Sequence, residues 1–261
     1  MKLSTPFLLL IAFLSCNNDV AKPDAAFPDV SQAGKAKTAK ASATGDCGST
    51  LIFKKGAKFT NKAVDANGKL IVSTESEVIR VSDAGGGKQS EIAMTSTFGD
   101  GREPTAGTGR YACDGTNLLI DLSSFVTTSE NTKISSAGFS FSSKLEVGQS
   151  LPDANYTVSM NYGGKEMQIA TRIHERKVEA KEKLTTAAGS FDCYRIVPTI
   201  ETSSSMAGLT PEVKEELEKA KKRMGKNTMT VWYAPSLTIL AMELFISGKV
   251  AMRNEITSIS K

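Results

Sequence analysis

Leu70-Ile-Val-Ser-Thr-Glu-Ser-Glu-Val-Ile-Arg-Val81 and Gln89-Ser-Glu-Ile-Ala-Met-Thr-Ser-Thr-Phe98, joined by Ser82-Asp-Ala-Gly-Gly-Gly-Lys88, decide the fold class. Both flanks are rich in Val, Ile and Thr, whose branched side chains suit a pleated surface. The glycines supply the positive φ that a tight hairpin requires. The stretch therefore reads as two antiparallel strands and a turn. Asp83–Lys88 has a superficial likeness to a phosphate loop, but it lacks the Gly-x4-Gly-Lys-Ser/Thr spacing and no helical pattern follows it.

The same punctuation repeats in both directions. Further candidate strands are 50–59, 109–113, 117–122, 156–162, 166–179, 191–200, 228–233, 237–246 and 250–259. Between them stand Asn67-Gly68, Asp100-Gly101, Asp114-Gly115, Gly163-Gly164 and Ser247-Gly248. Parallel pairing would need long crossovers, and the pattern offers none. Large apolar residues fall on both faces of several strands, as at Val231, Trp232 and Tyr233. A sheet with one wet face would alternate more cleanly. The expected fold is mainly β: an antiparallel, strongly curved sheet or barrel-like meander with one inserted surface helix. That helix is expected over 211–224. Thr210 caps it, Pro211 opens it and Gly225 ends it. Val213, Leu217, Ala220 and Met224 make its apolar stripe.

The first residues carry an address. Lys2 is followed by the apolar run Phe7–Leu14 and then Ser15-Cys16. The run is too short to span a bilayer as a helix, which takes about 20 residues. A basic start, a short apolar core and a small residue make a secretory signal. The cysteine directly after it resembles a bacterial lipoprotein signal, although Phe13 stands where that signal usually has Leu. The resemblance implies cleavage before Cys16 and acylation of Cys16, palmitate among the chains. Residues 1–15 are then the signal, 16–46 a lipidated and disordered tether, and 47–261 a β-rich domain. The expected location is the cell envelope, at the outer membrane of a Gram-negative bacterium.

From Cys47 onward four stretches carry a family resemblance. They are Cys47-Gly-Ser with Phe53-Lys-Lys-Gly-Ala-Lys-Phe59, Tyr111-Ala-Cys113-Asp-Gly115, Leu145-Glu-Val-Gly-Gln-Ser-Leu-Pro-Asp-Ala154, and Ala188-Gly-Ser-Phe-Asp-Cys-Tyr194 with Trp232-Tyr-Ala-Pro235. Together they resemble the TapB-like exported proteins, β-rich proteins of unknown function. The resemblance implies a fold and brings no activity with it.

The chemistry is restricted by what the chain contains. It has a single histidine, His174, and four cysteines, Cys16, Cys47, Cys113 and Cys193. There is no Cys-x-x-Cys pair, so neither a metal site nor a cofactor is expected. The formal charge of +4 is spread along the chain, which gives no basic stripe for nucleic acid. Asp121, Asp192 and Glu243 are the carboxylates nearest apolar sequence, and His174 sits in a charged strand and is expected exposed. Phe139, Phe141, Met160, Met167, Met229 and Met242 would suit either an adaptable ligand lining or an ordinary core. Strands running up, down, up, down bring Cys113 back to the rim where Cys47 begins. Cys47 and Cys113 are therefore paired and Cys193 left as a buried thiol. This pairing needs the sheet to curl or the segment before Thr50 to cross the rim. Three functions fit: a non-catalytic envelope module that binds or supports an assembly, a carrier of an acyl chain or other apolar ligand, and, more remotely, an envelope hydrolase. The expected partners are the membrane, through the lipid, and an envelope protein or apolar ligand.

Overall fold

The computed structural model describes residues 47–121, 124, 132–136, 138–162, 165–206, 215 and 227–260. The strands are β1 (Lys58–Asp65), β2 (Leu70–Ala84), β3 (Gly87–Phe98), β4 (Thr105–Cys113), β5 (Asn117–Asp121), β6 (Thr132–Ser136) and β7 (Phe139–Ser142). After them come β8 (Ala154–Tyr162), β9 (Lys165–Thr186), β10 (Gly189–Met206), β11 (Asn227–Ala234), β12 (Thr238–Ile246) and β13 (Lys249–Ser260). They form one antiparallel sheet in the order β6-β8-β9-β10-β11-β12-β13-β1-β2-β3-β4-β5-β7.

The two edges of this sheet are consecutive in sequence. Only residues 137 and 138 separate Ser136 of β6 from Phe139 of β7. Three Cα steps cover at most roughly 11 Å, so one edge must lie close to the other. The sheet is accordingly curled like a barrel, while its hydrogen-bonded ladder stays open at a seam between β7 and β8–β9. Phe141 of β7 stacks on Tyr233 of β11, with ring centroids 4.5 Å apart, across the inside of the curl.

The hairpin over 70–98 forms as the sequence indicates. Gly85 and Gly86 take φ of +57° and +86° between β2 and β3. Gly87 is needed for a different reason: a Cβ there would sit 1.7 Å from the Cys113 carbonyl oxygen.

Several expectations are corrected. Residues 50–57 are not strand. Cys47–Ser49 and Leu51–Phe53 are short 3-10 turns, and Thr50 to Phe53 are buried in succession. A strand exposes alternate faces, whereas this segment crosses one end of the curl and is buried on all sides. Leu51 N–H donates to Ser236 (3.0 Å), Gly56 N–H to Val78 (2.8 Å) and Val78 N–H to Ala57 (2.9 Å). We call this end the plug end. β6 and β7 were not anticipated, and β9 and β10 are longer than expected. The helix expected over 211–224 falls outside the described residues, Glu215 excepted, which is helical; the other described elements are strands and 3-10 turns.

β9 holds the main irregularity. Glu175 and Arg176 together face the single residue Pro198 on β10, between the pairs Lys177↔Val197 and His174↔Thr199. Pro198 has no N–H to lose from the ladder. Glu175 takes φ of +53°, a conformation that costs a non-glycine residue roughly 1–2 kcal/mol. Its carboxylate accepts a hydrogen bond from Thr199 Oγ1 at 2.6 Å, which holds it there. The bulge switches the inward parity of β9. Before it Ile169, Thr171 and Ile173 are buried; after it Arg176 and Val178 are.

Candidate functional site on the inner wall

The inside of the curl has two unlike walls. The seam wall is filled. Phe139 and Phe141 of β7 pack edge to face at 4.8 Å. Arg176, 1% exposed, lies over both rings, at 4.1 Å and 5.1 Å. Its Nη2 donates to the Ser140 carbonyl at 2.7 Å and its Nη1 to the Pro152 carbonyl. One guanidinium thus joins β7, at one edge of the sheet, to the segment leading into β8 at the other. That segment also hydrogen-bonds β9 directly: Gly148 N–H to Val178 (2.8 Å) and Leu151 N–H to Arg176 (2.7 Å). Burial pushes the Arg176 guanidinium down to about 10, so it remains protonated at neutral pH. The buried phenols Tyr111 and Tyr233 are pushed up by desolvation.

The opposite wall, β12-β13-β1-β2-β3, has a different interior. Cross-strand pairs place Met242 opposite Asn254, Asn254 opposite Ala63, Asn61 opposite Thr74, and Thr74 opposite Ser96. Asn61 lies between buried Phe59 and Ala63, and Asn254 between buried Met252 and Ile256; both asparagines are half-buried. Met242 and Met94 are half-buried too, each between buried inward neighbours. On β2 the inward residues are 1% exposed at Val72, 6% at Thr74, 7% at Ser76 and 0% at Val78. The β2 positions of this wall are thus buried throughout, and Asn61 and Asn254 stand one row apart, opposite Ile256 and Ala63. Thr74 and Ser96 hydroxyls bond each other at 2.9 Å. The Oδ1 atoms of Asn61 and Asn254 are buried without a hydrogen-bond partner. Across from Met94, β4 carries Gly107, which puts no side chain into the space.

The residues singled out in the sequence divide among these regions. Cys47 and Cys113 are disulfide-bonded, with Cα atoms 5.7 Å apart, and the bond pins the plug to the end of β4. The crossing of the rim by residues before β1 makes this possible. Cys193 is a buried free thiol; burial pushes it up to about 11. Phe139, Phe141 and Met229 belong to the packed core. Met167 is buried and faces Met160 across β8 and β9. Met160 and Met242 are half-buried. His174 is half-buried rather than exposed, with Nε2 3.5 Å from a Glu201 oxygen. Asp121, Asp192 and Glu243 stand on β5, β10 and β12, none of which are neighbours in the sheet; Glu243 pairs outward with Arg253 at 3.4 Å. The triglycine turn borders a shallow groove of about 410 Å3, beside Lys88 and Cys113. Cys16 and the tether lie outside the described residues. Sequence reasoning missed Arg176, Asn61 and Asn254.

A family model described as DUF3108-like matches residues 54–237, which takes in the sheet from β1 to β11 and stops before β12 and β13. The chain belongs to the DUF3108-like family. The TapB-like name suggested by the motifs is not the one this match carries. No curated protein matches the chain. Two crystal structures share the DUF3108-like chain's fold, each at 18% identity and a TM-score of 0.59. The first, a candidate exported protein with a YmcC-like fold from Bacteroides fragilis, aligns over 80% of this chain and 97% of its own. The second, a candidate lipoprotein from Parabacteroides distasonis, aligns over 81% and 99%.

Proposed function

We propose that this protein is a non-catalytic lipoprotein of the cell envelope that acts by binding, with the polar inner wall as its candidate binding surface. The carrying observation is the pair of asparagine oxygens there, Asn61 Oδ1 and Asn254 Oδ1, which have no hydrogen-bond partner among the described residues. The Leu14-Ser15-Cys16 signal supports the envelope location, and so do the structural relatives described as exported and as a lipoprotein. The hydrolase reading loses support because the candidate carboxylates and His174 do not gather at one place.

The plug end gives the binding surface a direction. Cys47 joins the tether to the body there. The β1–β2, β3–β4 and β12–β13 turns lie at the other end of the same strands. With Cys16 acylated, the plug end is the end of the body through which the chain is attached to the membrane. Fractionation tests the anchor: Cys16→Ser should leave the membrane fraction, and a variant that stays there would overturn lipidation as the attachment. Native mass spectrometry of the protein extracted from membranes by a styrene–maleic acid polymer tests the binding. A bound small molecule is expected, and a bare protein in stable complex with another envelope protein would favour assembly support instead.

A further inference from the structure

β4 carries a stretch of open sheet edge. Residues 105–109 pair with β3 on one side. On the other side β5 pairs only with residues 110–113. Ser124 Oγ accepts the Arg110 N–H at 2.7 Å and donates to the Asp121 carbonyl at 2.7 Å, so the chain leaves the ladder at that point. Successive residues of a strand turn their N–H and C=O groups to opposite sides. Ala106 and Thr108 therefore point theirs the same way as Arg110, away from β3, and among the described residues no strand meets them. Ala106, Gly107 and Thr108 are exposed.

An unpaired edge invites another strand unless charge or proline guards it. The other open edges are guarded. β6 carries Lys133, and residues 179–186 of β9 carry Lys181 and Lys183. β10 runs past its last pair with β11 at Ile200 into Glu201. At β7 the Arg176 guanidinium holds the Ser140 carbonyl at 2.7 Å. Residues 105–109 carry no charge. They also present no side chain at two inner positions: Gly107 stands opposite Met94 and Gly109 opposite Ile92. Glycine weakens a strand because it offers nothing to pack, and a large side chain on the next strand makes good the lost contact.

We infer that the open edge of β4 receives an extended segment of a partner protein, in line with β5, with aromatic or other large apolar side chains at the two alternate positions opposite Gly107 and Gly109. Main-chain hydrogen bonds to Ala106 and Thr108 hold the segment, and its alternate side chains fill the room that glycine leaves. A second copy of this chain fits less well. Its own edge sets glycine against glycine, and two such short edges of small side chains bury far less than the roughly 1,000 Å2 that a stable interface takes. The edge is separate from the asparagine pair of the inner wall and does not depend on it.

The test uses the full chain in lipid nanodiscs, labelled with nitrogen-15, and the peptide acetyl-Phe-Thr-Phe-Thr-Lys-amide. Amide exchange at Ala106 and Thr108 is expected to slow saturably as the peptide is added. The peptide's two threonines turn their N–H groups toward β4. Methylating those nitrogens should weaken binding about tenfold or more, the loss of one to two net hydrogen bonds. Methylating the nitrogen of the second phenylalanine, which points away, should leave binding unchanged. Thr108→Pro removes a main-chain donor from the edge and should abolish binding; Ala106→Lys, which adds a guarding charge, serves if the proline variant does not fold. A threonine-methylated peptide that binds as tightly as the parent overturns strand pairing. Slowed exchange at residues 179–186 or 201–206 instead overturns the site. Self-association in sedimentation that Thr108→Pro removes, with no peptide bound, makes a second copy the occupant and overturns the partner segment. If the peptide does not bind at all, the inference falls. Each of these outcomes leaves the inner-wall reading standing, since Asn254→Leu should not change peptide binding.

Discussion

The seam wall and the polar wall are built from the same alternating strands, yet one interior is aromatic and the other carries neutral polar groups. At the seam, Phe139, Phe141, Tyr233 and the Arg176 stem occupy the inside, and the guanidinium finds carbonyls on both sheet edges. On the far wall, inward positions on two adjacent rows include Asn61, Thr74, Ser96, Asn254 and Met242, and two amide oxygens stay unpaired. Buried polar groups in folded proteins are nearly always satisfied. Both walls depart from it in part: Arg176 Nε and Tyr233 Oη lack partners at the seam, Asn61 Oδ1 and Asn254 Oδ1 on the far wall. They differ in character, because the seam turns a charged group onto two backbone carbonyls and the far wall holds neutral groups.

The plug is the first place to break the contrast, since it holds both walls at one end. The Cys47–Cys113 bond closes a separation of 66 residues. The chain-entropy relation gives such a loop about 4 kcal/mol. Cys47→Ser with Cys113→Ser should lower unfolding free energy by that order in urea titrations. A change below about 1 kcal/mol would mean that the plug contributes little beyond its own packing.

Arg176 is the next target. Arg176→Met keeps much of the stem but leaves the Ser140 and Pro152 carbonyls without their donor, and the contact with the Phe139 ring becomes apolar. Unsatisfied carbonyls cost about 1–3 kcal/mol each, partly offset because a buried charge is removed. A net loss of about 2 kcal/mol is expected. Amide exchange should rise first in β7 and at Gly148 and Leu151, the groups that meet at the seam. Uniform acceleration across the sheet, with no preference for the seam, would show that Arg176 does not join its edges.

The hairpin over 70–98 and the disulfide rim were legible because alternation and glycine act over a few residues. Residues 50–53 misled because Thr, Leu, Ile and Phe resemble a strand; only their lack of alternation marks a segment buried on every side. β6 and β7 are too short, at five and four residues, for a period of two to register. Arg176 was hidden by the bulge. In an unbroken strand it would share a face with Arg172 and His174 and read as solvated, and the extra residue turns it inward. The one clue was Pro198 on the partner strand. Asn61 and Asn254 were visible as letters, but that both stand on the inner face follows from register between β13, β1 and β2, which is a long-range property.

Cys193 tests how dry the filled interior is. Its thiol, near the Glu182 carbonyl at 3.4 Å, is buried. An unfolded thiol ionises near pH 8.5, and the folded one is held up at about 11. A raised pKa contributes stability that is fully present below the unfolded value and is lost as pH rises through the folded one. Urea midpoints should therefore fall between about pH 9 and 11, and Cys193→Ala should flatten part of that fall, leaving the share due to the tyrosines. At pH 8, iodoacetamide should leave Cys193 unmodified in the native protein and alkylate it in urea. Rapid native alkylation would show that water reaches this core.

The smallest expected effect bears most directly on the polar wall. Asn254→Leu replaces a half-buried amide by a side chain of similar size two positions from Ile256, which is 2% exposed on the same face. If the Asn254 oxygen is unmet in the unliganded protein, the substitution removes a penalty and adds apolar contact with Met242. Stability should then stay level or rise, by up to about 1 kcal/mol. Ile256→Val, a subtler change at a filled position, should instead cost about 0.5–1.5 kcal/mol. The opposite signs follow only if the Asn254 amide is unmet while the Ile256 position is filled. A loss of 2 kcal/mol or more for Asn254→Leu would mean that the amide already has a structural partner, an ordered water included, and that asparagine is there for folding and not for a ligand.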